Sequence, residues 1–373
     1  MKVIIAPDKF KGSLTSFEVC NALDAGIKNA DKNIDVLCFP MADGGDGFAL
    51  VMQYYLRTRT IGCIATDPLG RRIETSYQWY QQERTAIIEM ASASGLVLLK
   101  QDERNPLKAS SYGTGLLIKD AVSKGAKKII LGVGGSATND AGTGILSAFG
   151  FQFADTAGNL LAACGKNLVL IDELIPPHEL PGICFEIASD VQNVLYGPRG
   201  AAYIYAPQKG ASVDEVKLLD DGLKHFVEVL KYRTGTDVAG VPGTGAAGGV
   251  AAGLIPFFDV TLKSGIELII AASDIESKIT GADLLITGEG KIDRQTLQGK
   301  VVSKLALLAH QYGIPAIAFC GVLEADGSLV KELKLQAAES ISSASVSIAE
   351  AIGNARQLLT DKAGQYFEKV KKS

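Results

Sequence analysis

Apolar and polar positions follow two alternating rhythms along this chain. At the N-terminus KVIIAPD is a short β-branched run, and SLTSFEVCNALDAGIKNA then repeats Phe17, Cys20, Ala22, Leu23 and Ile27 near helical spacing. A strand followed by an amphipathic helix is predicted. Ser16 is the expected N-cap, with Glu18 favourably placed in the first turn. IDVLCFPM reads as a second strand, ADGGDG as the loop after it, and FALVMQYYL as a helix. The same alternation returns near the C-terminus. There the apolar-periodic IELIIAASDIESKITGA leads to the strand DLLITGEG, the helix VVSKLALLAHQYG, the strand IPAIAFCG and a final helix from SIAEAIGNARQLLTDKAGQYF. Continuous apolar strands alternating with helices predict a parallel sheet covered on both faces.

The middle of the chain has another texture. TSYQWYQQERTAIIEM reads as two strands joined by a QQER turn, and FQFADTAGNLLAA as a hairpin with Ala-Gly-Asn at its tip, so antiparallel pairing is expected there. The predicted fold class is α/β with two domains. A Rossmann-like parallel-sheet domain is built from both chain ends, 1–60 and 281–373, and a mixed α/β domain, 61–280, is inserted between them. SYGTGLLIKDAVSKGAKKIILGVGG reads helix then strand, which leaves 110–135 open to either domain.

Composition narrows the function classes. The 373 residues are 47% apolar and 21% charged with a net charge of −4, values of a globular chain with no basic field for nucleic acid or an anionic membrane. Six scattered cysteines and three distant histidines show no zinc spacing. After Met1 and Lys2, the run VIIAPDKF is too short for a signal peptide's apolar region, and no later stretch is long enough to cross a bilayer. A cytoplasmic enzyme is the expectation, with small-molecule partners, no nucleic acid and no membrane.

Glycine, at 41 residues, gathers in a few polar clusters. APDKFKGSLT puts Asp8, Lys11 and Ser13 just past the first strand, where open α/β sheets bind ligands, although Asp8 would equally serve to cap a turn. ADGGDG sets Asp43 and Asp46 around a glycine pair, as a plain loop or as two carboxylates for one hard cation. LGVGGSATNDAGTG follows the strand-like KKIIL and precedes ILSAFG; it reads as a flexible linker or as backbone amides at a helix N-terminus suited to phosphate, with Ser136, Thr138, Asn139 and Asp140 as side-chain donors and acceptors. ITGEGKIDRQTLQGK carries Glu289, Lys291, Asp293 and Gln295 after a buried-strand signal. In EIASDVQNVLYGPRGAAYIYAPQKGA, Asp190 ends an apolar run ahead of Asn193, Gly197, Arg199 and a Pro-Gln-Lys-Gly turn. Gly243, Gly245 and Gly248 of VPGTGAAGG match G-x-G-x-x-G without a convincing strand before them, and no Walker A sequence is present.

Taken in order, APDKFKGSLT, MADGGDG, GVGGSATNDAGTG, ASDVQNVLYGPRGA with APQKGA, VPGTGAAGG, LKSGIELI and LITGEGKIDRQTLQGK resemble the bacterial glycerate kinase family, which includes glycerate 2-kinases, nearly end to end. The resemblance implies ATP-dependent phosphorylation of D-glycerate with Mg²⁺, giving 2-phosphoglycerate in one branch, on two α/β domains of which one is Rossmann-like. ATP and Mg²⁺ are the expected cofactors, D-glycerate and ATP the expected partners, and a homodimer stays open, as does the choice of hydroxyl.

On this reading Lys11 and the amides of Gly134, Gly135 and Ser136 neutralise phosphate charge. Asp43, Asp46, Glu289 or Asp293 hold Mg²⁺, Asp190 accepts the substrate's hydroxyl proton, and Arg199 grips its carboxylate. Asp8, Ser13, Thr138, Asn139 and Asp140 complete the expected substrate and phosphate set. The chain departs from the family pattern at Lys9 (usually serine), Asp46 and Phe48 (commonly Glu and Thr), Ala141 (commonly glycine) and Ser189 (frequently cysteine). Two alternatives come from other classes: an NAD-dependent oxidoreductase of a small hydroxy acid using the G-x-G-x-x-G at Gly243, and a non-catalytic binder of phosphorylated metabolites.

Overall fold

The computed structural model describes residues 1–45, 47–324, 326–342 and 348–372. Its strands, in chain order, are β1 (Lys2–Pro7), β2 (Asp35–Cys38), β3 (Arg59–Thr66), β4 (Arg72–Tyr80), β5 (Thr85–Glu89), β6 (Lys128–Gly132), β7 (Gln152–Ala154), β8 (Leu160–Leu161), β9 (Glu173–Ile175), β10 (Cys184–Ala188), β11 (Asp259–Lys263), β12 (Leu284–Ile292), β13 (Ala316–Leu323) and β14 (Ala337–Ser340). The chain divides into two compact units, Met1–Asp43 with Ile266–Ser373, and Gly44–Gly265.

The first unit holds a five-stranded, all-parallel sheet in the order β14-β13-β12-β1-β2. Val3, Ile5, Ile286, Ile317 and Phe319 are fully buried in its core, as the continuous apolar runs predict. The helix Ser16–Ala30 begins one residue earlier in logic than expected. Its N-cap is Thr15, not Ser16: Thr15 Oγ1 accepts from the Glu18 amide at 3.3 Å, and the Glu18 carboxylate accepts from the Thr15 amide at 2.9 Å. This reciprocal pairing needs a three-residue spacing that Ser16 and Glu18 do not have. Helix Ser16–Ala30 crosses helix Ala355–Lys372 closely at Gly26, where an added Cβ would fall 2.3 Å from the Thr360 carbonyl. The expected single C-terminal helix is two, Ile348–Gly353 and Ala355–Lys372.

The second unit holds a six-stranded sheet in the order β11-β10-β6-β5-β4-β3 and a small sheet β8-β7-β9. β5, β6, β10 and β11 run parallel, and β4 joins antiparallel to β5 through the QQER turn. β7 and β8 form the second expected hairpin. Residues 110–135 supply helix Tyr112–Ser123 and β6, which sits inside this sheet between β5 and β10. Residues 48–56, read from sequence with the outer domain, form a helix of this unit: the Ala49 amide donates to the Glu89 carboxylate at the end of β5.

Candidate active site

In the first unit the chain order reverses between β1 and β12: β1 leads outward to β2, and β12 leads the other way to β13 and β14. The carboxyl ends of strands at such a reversal leave a crevice that serves as the ligand site of open α/β sheets. Asp8 stands at the end of β1, Asp43 lies on the loop after β2, and Glu289 lies within β12. The Asp8 amide donates to the Gly288 carbonyl at 2.8 Å, and its carboxylate accepts from the Lys9 amide at 2.7 Å. Burial, then the charge of Asp43, with Glu289 adding, pushes the Asp8 carboxyl up to about 8. Burial also raises Glu289, and the charges of Asp43 and Asp293 push the same way, against a hydrogen bond from Thr296 Oγ1 at 2.6 Å and the charge of Lys300. Asp8, Asp43 and Glu289, from three segments, therefore lie near enough for their charges to act on one another, with Lys9 and Lys300 acting the other way.

The other predicted residues of this unit have separable tasks. Asp293 accepts from the Gln295 amide at 2.8 Å, capping the turn Arg294–Gln298, and pairs with Lys291 at 3.3 Å. Ser13 Oγ donates to the Phe10 carbonyl at 3.1 Å, closing the turn that leaves Lys11 exposed while Phe10 is buried. That turn lies against β12 because Gly290 has no side chain: a Cβ there would come 3.0 Å from the Lys11 nitrogen. Asp46 lies outside the described residues.

In the second unit the loops after parallel strands gather at their carboxyl ends. A Cβ on Gly134 would fall 2.5 Å from Gly45 Cα, and one on Gly44 would fall 3.2 Å from the Ala188 carbonyl. Gly44, Gly45 and Gly134 thus permit close backbone approach within this unit. Asp190, just past β10, is half-buried, and its Oδ1 accepts from Ser264 Oγ at 2.5 Å and from the Gly265 amide at 3.1 Å. Arg199 is exposed, and its carbonyl accepts from Asn193 Nδ2 at 2.8 Å.

The glycine-rich loop itself differs from expectation in one respect. Asp140 is fully buried and accepts from the Ser111 amide and hydroxyl, both at 2.8 Å, and from the amides of Gly142 at 3.2 Å and Gly144 at 3.3 Å. Those last two amides open the helix Thr143–Ala148. The helix N-terminus that the sequence offers to a phosphate is already filled by the protein's own carboxylate, which four donors hold in place although burial raises its pKa. Thr138 and Asn139 are likewise fully buried. The amides of Gly134, Gly135 and Ser136 are different: among the described residues they donate no hydrogen bond, and Gly135 at the tip is exposed. The first turn of the loop, not its helix end, is therefore where backbone amides are left without partners among the described residues.

Two features escaped the sequence reading. Lys209, inside the APQKGA turn, is 3% exposed and donates to Ser136 Oγ at 3.1 Å and to the Thr138 carbonyl at 2.7 Å. Burial pushes its ammonium down to about 7, against the charge of Asp140. Its signal was a lysine between glutamine and glycine beside apolar residues, which reads as an ordinary surface turn. The second is the job of VPGTGAAGG. Gly248 takes φ +71°, and a Cβ there would sit 2.3 Å from the Thr138 carbonyl, while the Ala141 amide donates to the Gly248 carbonyl at 2.9 Å. These glycines let one backbone pack under another, and residues 235–242 before them contain no strand. The dinucleotide motif and the oxidoreductase reading built on it have no support here.

Among the described residues no three His, Cys, Asp or Glu side chains close into a ready-made metal centre, and no helix is long and apolar enough to cross a membrane.

The chain matches the glycerate kinase family over residues 3–371. It is 39% identical to a glycerate kinase of Halalkalibacterium halodurans over 97% of this chain and 96% of that one, and 39% identical to a glycerate 2-kinase of Escherichia coli over 91% and 90%. A crystal structure from Salmonella typhimurium LT2, assigned by name to glycerate kinase 2, superposes with a TM-score of 0.84 at 36% identity, covering all of this chain and 98% of that one. With its whole length matched and its loop motifs in order, this chain belongs to the glycerate kinase family.

Proposed function

We propose that this protein catalyses ATP-dependent phosphorylation of D-glycerate, on the 2-hydroxyl, in the cytoplasm. The observation that carries the reading is the convergence of Asp8, Asp43 and Glu289 at the strand-order reversal, in a chain of this family. We read the two units as two domains, the outer one Rossmann-like and assembled from both chain ends.

The carboxylate cluster fits Mg²⁺ by its chemistry. Its donors are all hard oxygens; burial chiefly, and the charge of Asp43 in addition, raises Asp8 and Glu289, and a dication would offset both. Among the described residues no three such side chains are placed to hold an ion by themselves, so a bound Mg²⁺ would draw the rest of its shell from water and phosphate oxygens. Asp43 and Glu289 would hold it, with Asp8 beside them and Asp293 acting through water; Asp46 rests on its place in the sequence. When bound, the ion neutralises charge on the nucleotide phosphates.

Phosphoryl transfer asks little covalent chemistry of the protein and a great deal of positioning. The undonated amides of Gly134, Gly135 and Ser136 offer a fixed anion nest, and Lys11, exposed on its turn, adds a mobile positive charge. Asp190 is oriented by Ser264 and Gly265, both bound to one carboxylate oxygen; it accepts the proton of the glycerate hydroxyl. Arg199 holds the substrate carboxylate with its two-pronged guanidinium. The test is ADP release from Mg-ATP in the presence of D-glycerate, L-glycerate, lactate or glycerol. The reading requires release that depends on D-glycerate; release indifferent to the added hydroxy compound contradicts it.

A further inference from the structure

Lys209 is a buried amino group that the reaction scheme above leaves unused. It ends the turn Pro207–Lys209, which is seated tightly: Gly210, at φ +99°, lets the chain lie against the Arg104 carbonyl, where a Cβ would come within 2.3 Å. From that seat the ammonium donates to Ser136 Oγ and to the Thr138 carbonyl, two loop residues apart, and so spans the loop from beneath. The next residue, Asn139, is fully buried with neither amide atom hydrogen-bonded, so its side chain does not anchor the loop. Among the described residues, the side-chain ties under positions 136–138 are this lysine's two bonds and a long 3.4 Å contact from Thr138 Oγ1 to the Ala247 carbonyl.

A buried ammonium is an expensive way to fix a loop that needs only to be packed. Its advantage is direction: hydrogen-bond donors fix both partners' orientation more firmly than apolar contact does. Ser136 is also the third amide of the nest, so a tie on its hydroxyl sets where that amide points. We propose that Lys209 is a positioning residue for phosphate binding, holding Ser136 and Thr138 so that the amides of Gly134, Gly135 and Ser136 face a nucleotide or substrate phosphate. The inference rests on the reading of that turn as the phosphate-binding element.

The test uses the full-length enzyme in three forms: Lys209→Met, which keeps an unbranched apolar stem without the cation, Ser136→Ala, and the two combined. KM for Mg-ATP and kcat are measured beside circular dichroism and the thermal midpoint. Lys209→Met is expected to fold, keep its midpoint within a few degrees, and raise KM for Mg-ATP about tenfold, the loss typical of one charge-assisted hydrogen bond. The combined variant is expected to be no worse than Lys209→Met alone, because the bond that Ser136→Ala removes is one of the two that Lys209→Met already breaks. A purely structural lysine would lower the active fraction and leave KM unchanged. Wild-type KM in Lys209→Met with an impaired Ser136→Ala overturns the inference alone. Wild-type KM in both overturns the inference too, and leaves the phosphate reading standing, since the backbone amides remain in either variant. Additive effects, or a Lys209→Met chain that does not fold, also overturn the inference.

Discussion

Asp140 and Asp190 stand on comparable loops and read alike in the sequence, yet their surroundings give them opposite tasks. Asp140 has four donors and no exposure, so Asp140→Ala should cost about 3 kcal/mol or more of stability, the scale of stranding buried partners of a charge. Urea unfolding measures this directly; an unchanged midpoint would show that the carboxylate is not a structural cap. Asp190 is half-buried, and its Oδ1 accepts from Ser264 and Gly265. Asp190→Asn should leave the fold intact and lower kcat by about a hundredfold or more, the usual contribution of a general base. Near wild-type turnover would remove it from the mechanism. Lys209 makes a third prediction, through pH. Its folded pKa lies near 7, below the ordinary lysine value, so above pH 7 the unfolded chain binds more protons than the folded one. Stability contributed by this group is then full above the unfolded pKa and is lost as pH falls towards 7. The thermal midpoint of Lys209→Met, followed from pH 7 to 10, should lack the rise that this lysine confers on the wild type.

Elements were easier to read than their contacts. β1, β12 and β13 were legible because strands buried on both faces are continuous apolar runs, and the hairpins at QQER and Ala-Gly-Asn because their turns are local. What was not legible depends on partners distant in sequence. Thr15 rather than Ser16 as cap is a one-residue matter of which hydroxyl faces Glu18, whereas the filling of the Thr143–Ala148 N-terminus by Asp140 depends on Ser111 arriving from another helix's start. Lys209 was invisible for the same reason: its partners are 73 and 71 residues away. The VPGTGAAGG loop shows the converse error, where glycines needed for backbone packing imitate a nucleotide fingerprint. Gly248→Ala should therefore destabilise the fold by about 2 kcal/mol or more, through overpacking and a left-handed φ. A stable variant in calorimetry would mean that the loop does not press on Thr138. Ala141 carries a related strain: it takes φ +50° where the family pattern has glycine, an unfavourable conformation for a residue with a Cβ.

For the whole molecule, the sequence reading and the fold agree on a mixed α/β chain with a parallel sheet built from both ends. The net charge of −4 had offered no global basic field for nucleic acid, and the ordered loop motifs pointed to the family that the match over residues 3–371 then showed. The proposed chemistry needs a divalent cation at the Asp8, Asp43 and Glu289 cluster. Chelation by EDTA should abolish turnover, and Mg²⁺ should restore it; turnover that persists without divalent ions would take the metal out of the scheme. The most direct test is phosphorus NMR of the protein with Mg-ATP and D-glycerate, because it reports both the transfer and the accepting oxygen. The account predicts ADP and 2-phosphoglycerate resonances growing together, and a spectrum with no phosphorylated glycerate would contradict it.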